Sequence, residues 1–233
     1  MDRLTRKELK SDRFALEVQH SIQVVSDHRQ QLTRWGTIAG VVAILVIAVV
    51  VYRNHEHVVR QEALRAAQQL QNASIGPQQN ELSVSFPTQA ERDKAVNKSF
   101  TELAAKYSGT DEGLIAEFFL GTNAADQGKL SEAEKRLKVV ADAGIPYSAL
   151  AKLSLAQVYA AEGKLADGEK LVQSLIDHPT PLVSKEAATI ALAELIQMKD
   201  PQRARKLLEP LRSSPRGSVS RVAISALSDM SQK

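Results

Sequence analysis

The sequence predicts an all-α chain. One apolar helix long enough to cross a bilayer comes first, and a solenoid of helical hairpins follows. Three observations carry that expectation. Residues 35–52 read WGTIAGVVAILVIAVVVY and hold no charge. Further on, two stretches align at a constant offset of 35, sharing Gly-Lys-Leu and Glu-Lys at matched positions. Aromatic residues make up only 4% of the chain. With alanine abundant, this suits closely packed helices better than sandwiches or barrels.

The apolar stretch runs from Trp35 to Tyr52, between Arg34 and Arg53. Eighteen helical residues rise about 27 Å, close to the thickness of a hydrocarbon core. A soluble helix would turn a polar face outward every 3.6 residues, and here Val, Ile and Leu run all round. Trp35 and Tyr52 stand at the two edges, where amphipathic rings favour the membrane interface. A buried core helix is the competing explanation for the run. A cleaved signal peptide is another, but 34 mixed-charge residues precede the stretch and no small-x-small site follows it. The reading is an uncleaved signal anchor.

Ahead of it, Phe14, Val18, Ile22, Val25 and Leu32 recur at spacings of three, four or seven, one apolar stripe on a helix. The stripe fits a membrane surface, a partner, a second copy of the chain, or a plain juxtamembrane helix. The tail over 1–34 carries 7 Lys/Arg against 5 Asp/Glu, which favours an inside N-terminus. Close to the span the balance does not decide: Arg29 and Arg34 face Arg53, Arg60 and Arg65. The expected orientation is N-terminus inside and large domain outside, with the inverted topology as the lesser alternative.

Residues 53–233 carry 23 Lys/Arg against 22 Asp/Glu, interspersed along the predicted helices. A nucleic-acid footprint needs a clustered basic face, so the pI near 9.1 does not argue for one. Cysteine is absent, which removes disulfides and thiolate chemistry. His55 and His57 point about 200° apart on a helix and cannot share a metal. Acids such as Glu132 and Glu134 belong on an exposed helix face. No phosphate loop, nucleophile elbow or metal motif is present. The expectation is therefore no catalytic residue, no cofactor and no metal.

The expected partition is a tail with an amphipathic helix over 1–34, a transmembrane helix over 35–52 and a stalk or first repeat helix over 53–72. A loop over 73–89, punctuated by Gly76-Pro77 and Phe86-Pro87, leads into helical repeats over 90–233. Within those repeats Leu120 to Val140 aligns with Leu155 to Leu175. Gly121 matches Ala156, Gly128 matches Gly163, and Ala133 matches Gly168. A weaker third unit covers about 184–211, with Asp200-Pro201 in place of the glycine turn. A last helix over 218–230 could cap the stack.

This pattern resembles the tetratricopeptide repeat, whose period is 34 residues. That repeat needs small residues where its two helices cross, here Gly121, Ala133, Ala156 and Gly168, and a glycine turn, here Gly128 and Gly163. It departs from the family where large aromatics are usual, since Ala124 stands opposite Tyr159. The resemblance implies a concave groove lined by the first helix of each hairpin. It places Phe118, Thr122 and Asp126 there, then Leu153, Gln157 and Ala160, then Ala188, Leu192 and Leu195. Such a groove is mostly apolar and lacks the Lys, Arg and Asn set that clamps a peptide carboxylate. It takes an apolar segment of a partner, or is filled by the chain itself.

The whole layout, from tail through span to repeats, resembles the YfgM family of bacterial inner-membrane proteins. The resemblance implies a non-enzymatic, ancillary subunit of the SecYEG translocon. It implies partners among translocon subunits, periplasmic chaperones, the membrane-anchored prolyl isomerase PpiD and unfolded clients. The alternative is a structural scaffold for another envelope assembly, built by self-association through residues 14–32 and the stalk into a homo-oligomer.

Overall fold

The computed structural model describes residues 29–76 and 84–230. The tail stripe from Phe14 to Val25 lies outside them. The described residues form nine α-helices and one two-residue strand pair, and the chain is all-α in class. Its contacts divide it into two units, at Val59 and Arg60.

The first unit is carried by helix α1, Arg29–Gln71. Every described side chain from Thr33 to His55 is exposed, including Trp35 at 70% and Tyr52 at 66%. The helix is long and apolar enough to cross a membrane. In lipid a helix meets every backbone hydrogen bond within itself, so Val and Ile can fill it without partners.

The second unit begins at Arg60. Leu64 and Ala67, in the last turns of α1, pack with Val96, Phe100, Ala116 and Leu120. Arg60 pairs with the buried Glu112 at 3.2 Å. The stretch expected to be loop over 73–89 contains strands β1 (Ser74–Ile75) and β2 (Ser85–Phe86), paired in parallel. The Gly76 N–H, at φ +114°, donates to the Phe86 carbonyl at 2.9 Å.

Helix α2 (Gln89–Lys106) starts at Thr88, whose hydroxyl accepts from the Glu91 N–H. Three hairpins follow: α3 (Asp111–Asp126) with α4 (Leu130–Ala141), α5 (Ser148–Ala161) with α6 (Leu165–Asp177), and α7 (Lys185–Ile196) with α8 (Pro201–Leu208). A 3₁₀ turn, Glu209–Ser213, leads to α9, Gly217–Asp229.

The first two hairpins turn identically. Gly128 (φ +72°) and Gly163 (φ +81°) adopt the left-handed conformation that only glycine takes without strain. The N–H after each reaches back to a helical carbonyl, Lys129 to Ala124 at 2.9 Å and Lys164 to Tyr159 at 2.7 Å. These bonds satisfy carbonyls that the helix ends would leave open. The helices of each hairpin then cross closely. A Cβ on Gly121 would lie 2.8 Å from Leu137 Cγ, and one on Gly168 would lie 2.7 Å from the Ala156 carbonyl oxygen. Ala133 and Ala156 are fully buried.

Between the first and second hairpins, the buried Ser148 hydroxyl donates to the Val140 carbonyl at 2.6 Å and accepts from the Ile145 N–H. Between the second and third, Thr180 and Val183 bond each other through two N–H groups, and Val183 is buried. The spacing between equivalent core residues is longer by two here. From Leu137 to Leu155 is 18 positions and from the equivalent Val172 to Leu192 is 20.

Candidate functional site

The hairpins gather their first helices on one side. Helices α3, α5 and α7 approach one another directly, whereas the second-helix side is bridged by long charged side chains. In the tetratricopeptide resemblance this first-helix side is the inner face, and its residues compare by register.

Buried residues set the register on that face. Ala116, Ala151 and Ala188 are each fully buried, and Leu120, Leu155 and Leu192 are 6%, 2% and 1% exposed. The pairs Leu120-Gly121, Leu155-Ala156 and Leu192-Ala193 are thus equivalent. The third hairpin is offset by 37 residues from the second, not 35. Ala188 and Leu192, expected in the groove, belong to the core for this reason. Leu195 packs half-buried against that same core.

With the corrected register, two columns run across the inner face. Phe118, Leu153 and Ile190 form one, all half-buried. Thr122, Gln157 and Glu194 form the other, half-buried at Thr122 and exposed at the other two. The Thr122 hydroxyl donates to the Phe119 carbonyl at 3.0 Å. Ala160 is half-buried one turn beyond Gln157, and Met198 in the next turn of the third hairpin is 81% exposed.

Phe118 belongs to an aromatic cluster. Its ring meets Tyr147 edge-on at 5.4 Å and Phe119 at 5.4 Å, and Phe119 stacks on Phe100 at 4.8 Å. Such pairs contribute about 1 kcal/mol each beyond their buried area and hold their rings in place. The first-helix side is thus aromatic at its first hairpin and aliphatic beyond.

Asp126 lies elsewhere. It lines a polar cleft of about 290 Å³ with Gln71, Arg92, Asp93, Asn97 and Asn123, where α1, α2 and α3 end or begin. Glu194 was not anticipated. It is exposed by area, yet enough protein surrounds its carboxyl for burial to raise it above its ordinary value. The repeated Ala-x-x-x-Leu-small pattern could have found it in the sequence.

On the outer face Lys164 bonds Glu162 at 2.8 Å and Glu134 at 3.0 Å, and Arg203 bonds Glu169 at 2.6 Å. Glu134 and Glu169 are equivalent positions, so each repeat's acid takes a cation from the repeat after it. The bonds to Glu162 and Glu134 raise the Lys164 ammonium above its ordinary value, and the bond to Lys164 lowers the Glu134 carboxyl. Among the described residues no group of three His, Cys, Asp or Glu stands together to hold a metal ion.

At the apolar segment of α1, Arg34, Trp35, Tyr52 and Arg53 are all exposed. The Thr37 hydroxyl donates to the Arg34 carbonyl at 2.8 Å, which satisfies a polar group on this apolar helix.

No curated protein and no solved structure matches the chain. A family model does: that of the tetratricopeptide repeat-like domain matches residues 30–180, which takes in most of α1 and the first two hairpins. Domains of this kind are typically non-catalytic modules for protein–protein interaction. The chain belongs to the tetratricopeptide repeat-like domain family.

Proposed function

We propose that this protein is a membrane-anchored, non-enzymatic interaction subunit. The uncharged segment 35–52 seats in the bilayer, with Arg34 and Trp35 at one interface and Tyr52 and Arg53 at the other. The concave face of the repeats holds protein partners. In the finer reading it is an ancillary subunit of the Sec translocon in a bacterial inner membrane, N-terminus inside and repeats outside. There it would meet translocon subunits, a PpiD-like membrane-anchored chaperone and unfolded clients.

The observation that carries the proposal is the exposed, uncharged stretch in a helix that also enters the matched repeat-like family region. Water-exposed, that much contiguous apolar surface would drive aggregation.

The test is a photo-reactive residue at Val58, which is 48% exposed, in cells, together with protease access from each side. The expected catch is a translocon subunit or a membrane-anchored chaperone, with the repeats cut only from outside. Release by alkaline carbonate would sink the anchor. Capture of cytoplasmic proteins would invert the topology, and capture of the chain alone would favour a self-associating scaffold.

A further inference from the structure

The groove's two columns differ in what they offer a ligand, and the difference narrows what can lie there. The first column, Phe118, Leu153 and Ile190, is apolar from end to end. The second, Thr122, Gln157 and Glu194, presents oxygens. The Thr122 hydroxyl spends its proton on Phe119, so it meets a ligand as an acceptor. Gln157 has an amide that both accepts and donates, and Glu194 is acceptor-only when ionised. One turn further along stand Ala161, at the end of α5, and Met198, just past the end of α7, and neither is a Lys or Arg. Asp126 shares its cleft with Arg92. Glu194 makes no ion pair among the described residues, and no cation acts against the burial that raises its carboxyl. The third hairpin thus adds a partly desolvated acid to this column, and α9 packs on α7 beyond it.

We propose that the concave face takes a protein segment with an apolar ridge flanked by hydrogen-bonding groups, bearing Lys or Arg where it meets Glu194. The inference rests on the protein-interaction reading above and adds the charge and polarity of the partner. An apolar ridge fills the Phe118 column, where the aromatic cluster makes a good anchor. The hydrogen-bonding groups pair with the second column. The cation supplies Glu194 with the partner it lacks, and a charge-assisted bond there sets both specificity and direction.

The experiment uses the full chain in nanodiscs of zwitterionic lipid, with empty nanodiscs as background. Two labelled probe peptides of about 15 residues share one Leu/Ala/Gln ridge. One ends in two lysines and the other in two glutamates. Fluorescence anisotropy gives both affinities. The lysine peptide should bind about tenfold tighter at about 50 mM salt, with the gap closing at high salt. Glu194→Lys should reverse the preference, and Asp142→Lys, on an exposed outer position, should leave it unchanged.

If Glu194→Lys leaves the preference in place while Phe118→Asp abolishes binding of both peptides, the groove reading stands and the charge assignment falls. If Asp142→Lys shifts the preference as much as Glu194→Lys, the effect is diffuse charge and the assignment also falls. If neither peptide binds the wild-type chain, the groove reading falls with it.

Discussion

The first two hairpins turn on a glycine at positive φ, while the third turns at Asp200-Pro201 with Asp200 accepting from the Arg203 N–H at 3.0 Å. The first two cross on a glycine, Gly121 or Gly168, while at the third the position equivalent to Gly168 is Ala204, fully buried. Yet all three present the same inner face. Their common feature is the buried Ala, Leu and small-residue set on the first helix. The architecture is therefore specified by what is buried at the crossing, and the turn is a replaceable device. A solenoid tolerates this because each repeat packs mainly on its neighbours.

Changing the crossing should have the largest effect. Gly168→Ala gives the second hairpin the residue that the third already uses. Its Cβ would meet backbone, the Ala156 carbonyl oxygen at 2.7 Å, so the helices must part. The expected cost is about 2–3 kcal/mol, a fall in Tm of roughly 4–12 °C. Gly121→Ala meets only the flexible Leu137 side chain and should cost less than half as much. Equal melting temperatures for the two would show that the crossings are not held by close backbone approach.

Exchanging the turns comes next. Gly163→Ala forces a non-glycine residue into left-handed backbone and should cost about 1 kcal/mol. Asp200→Ala removes the cap of α8 and should cost about 1 kcal/mol as well. Denaturant titration of both variants measures whether two unlike turns contribute alike. A silent Asp200→Ala would mean that the third hairpin is held by burial alone.

The smallest effect is electrostatic. Glu134 has its carboxyl lowered in the folded chain by the Lys164 bond. Its contribution is present above the unfolded carboxylate value and is lost as pH falls through the folded one. Stability should therefore decline slightly more steeply below about pH 5 in the wild type than in Glu134→Gln. Parallel melts from pH 7 to pH 3 read the difference, and matching slopes would remove the tie between the first two hairpins.

These contrasts also explain what could be read from the sequence. Leu120-Gly121 and Leu155-Ala156 carry glycine turns at fixed distance, so their hairpins were legible at an offset of 35. The third was legible as a hairpin but misregistered. Its helix, with Ala187, Ala188, Ile190, Ala191, Leu192 and Ala193, is apolar at nearly every turn and offers periodicity little to lock on. The two extra positions between Val172 and Leu192 carry no letter that announces them. Hence Leu192 was expected in the groove and Glu194 was not. The pairing of Ser74–Ile75 with Ser85–Phe86 gave no signal either, because two residues are too few for alternation to show. The aromatic cluster joins Phe100 of α2, Phe118 and Phe119 of α3 and Tyr147 of the connection before α5, and only packing brings these together.

The contacts of the second unit run mainly between consecutive elements, from α2 to α3 through to α7 with α8, with shorter reaches from one first helix to the next. Such a topology has low contact order, and its early elements do not wait for its late ones. A growing chain would meet the partners of α3 almost as soon as they are made. The helices can assemble in the order of their synthesis, each new hairpin finding a finished surface to dock on.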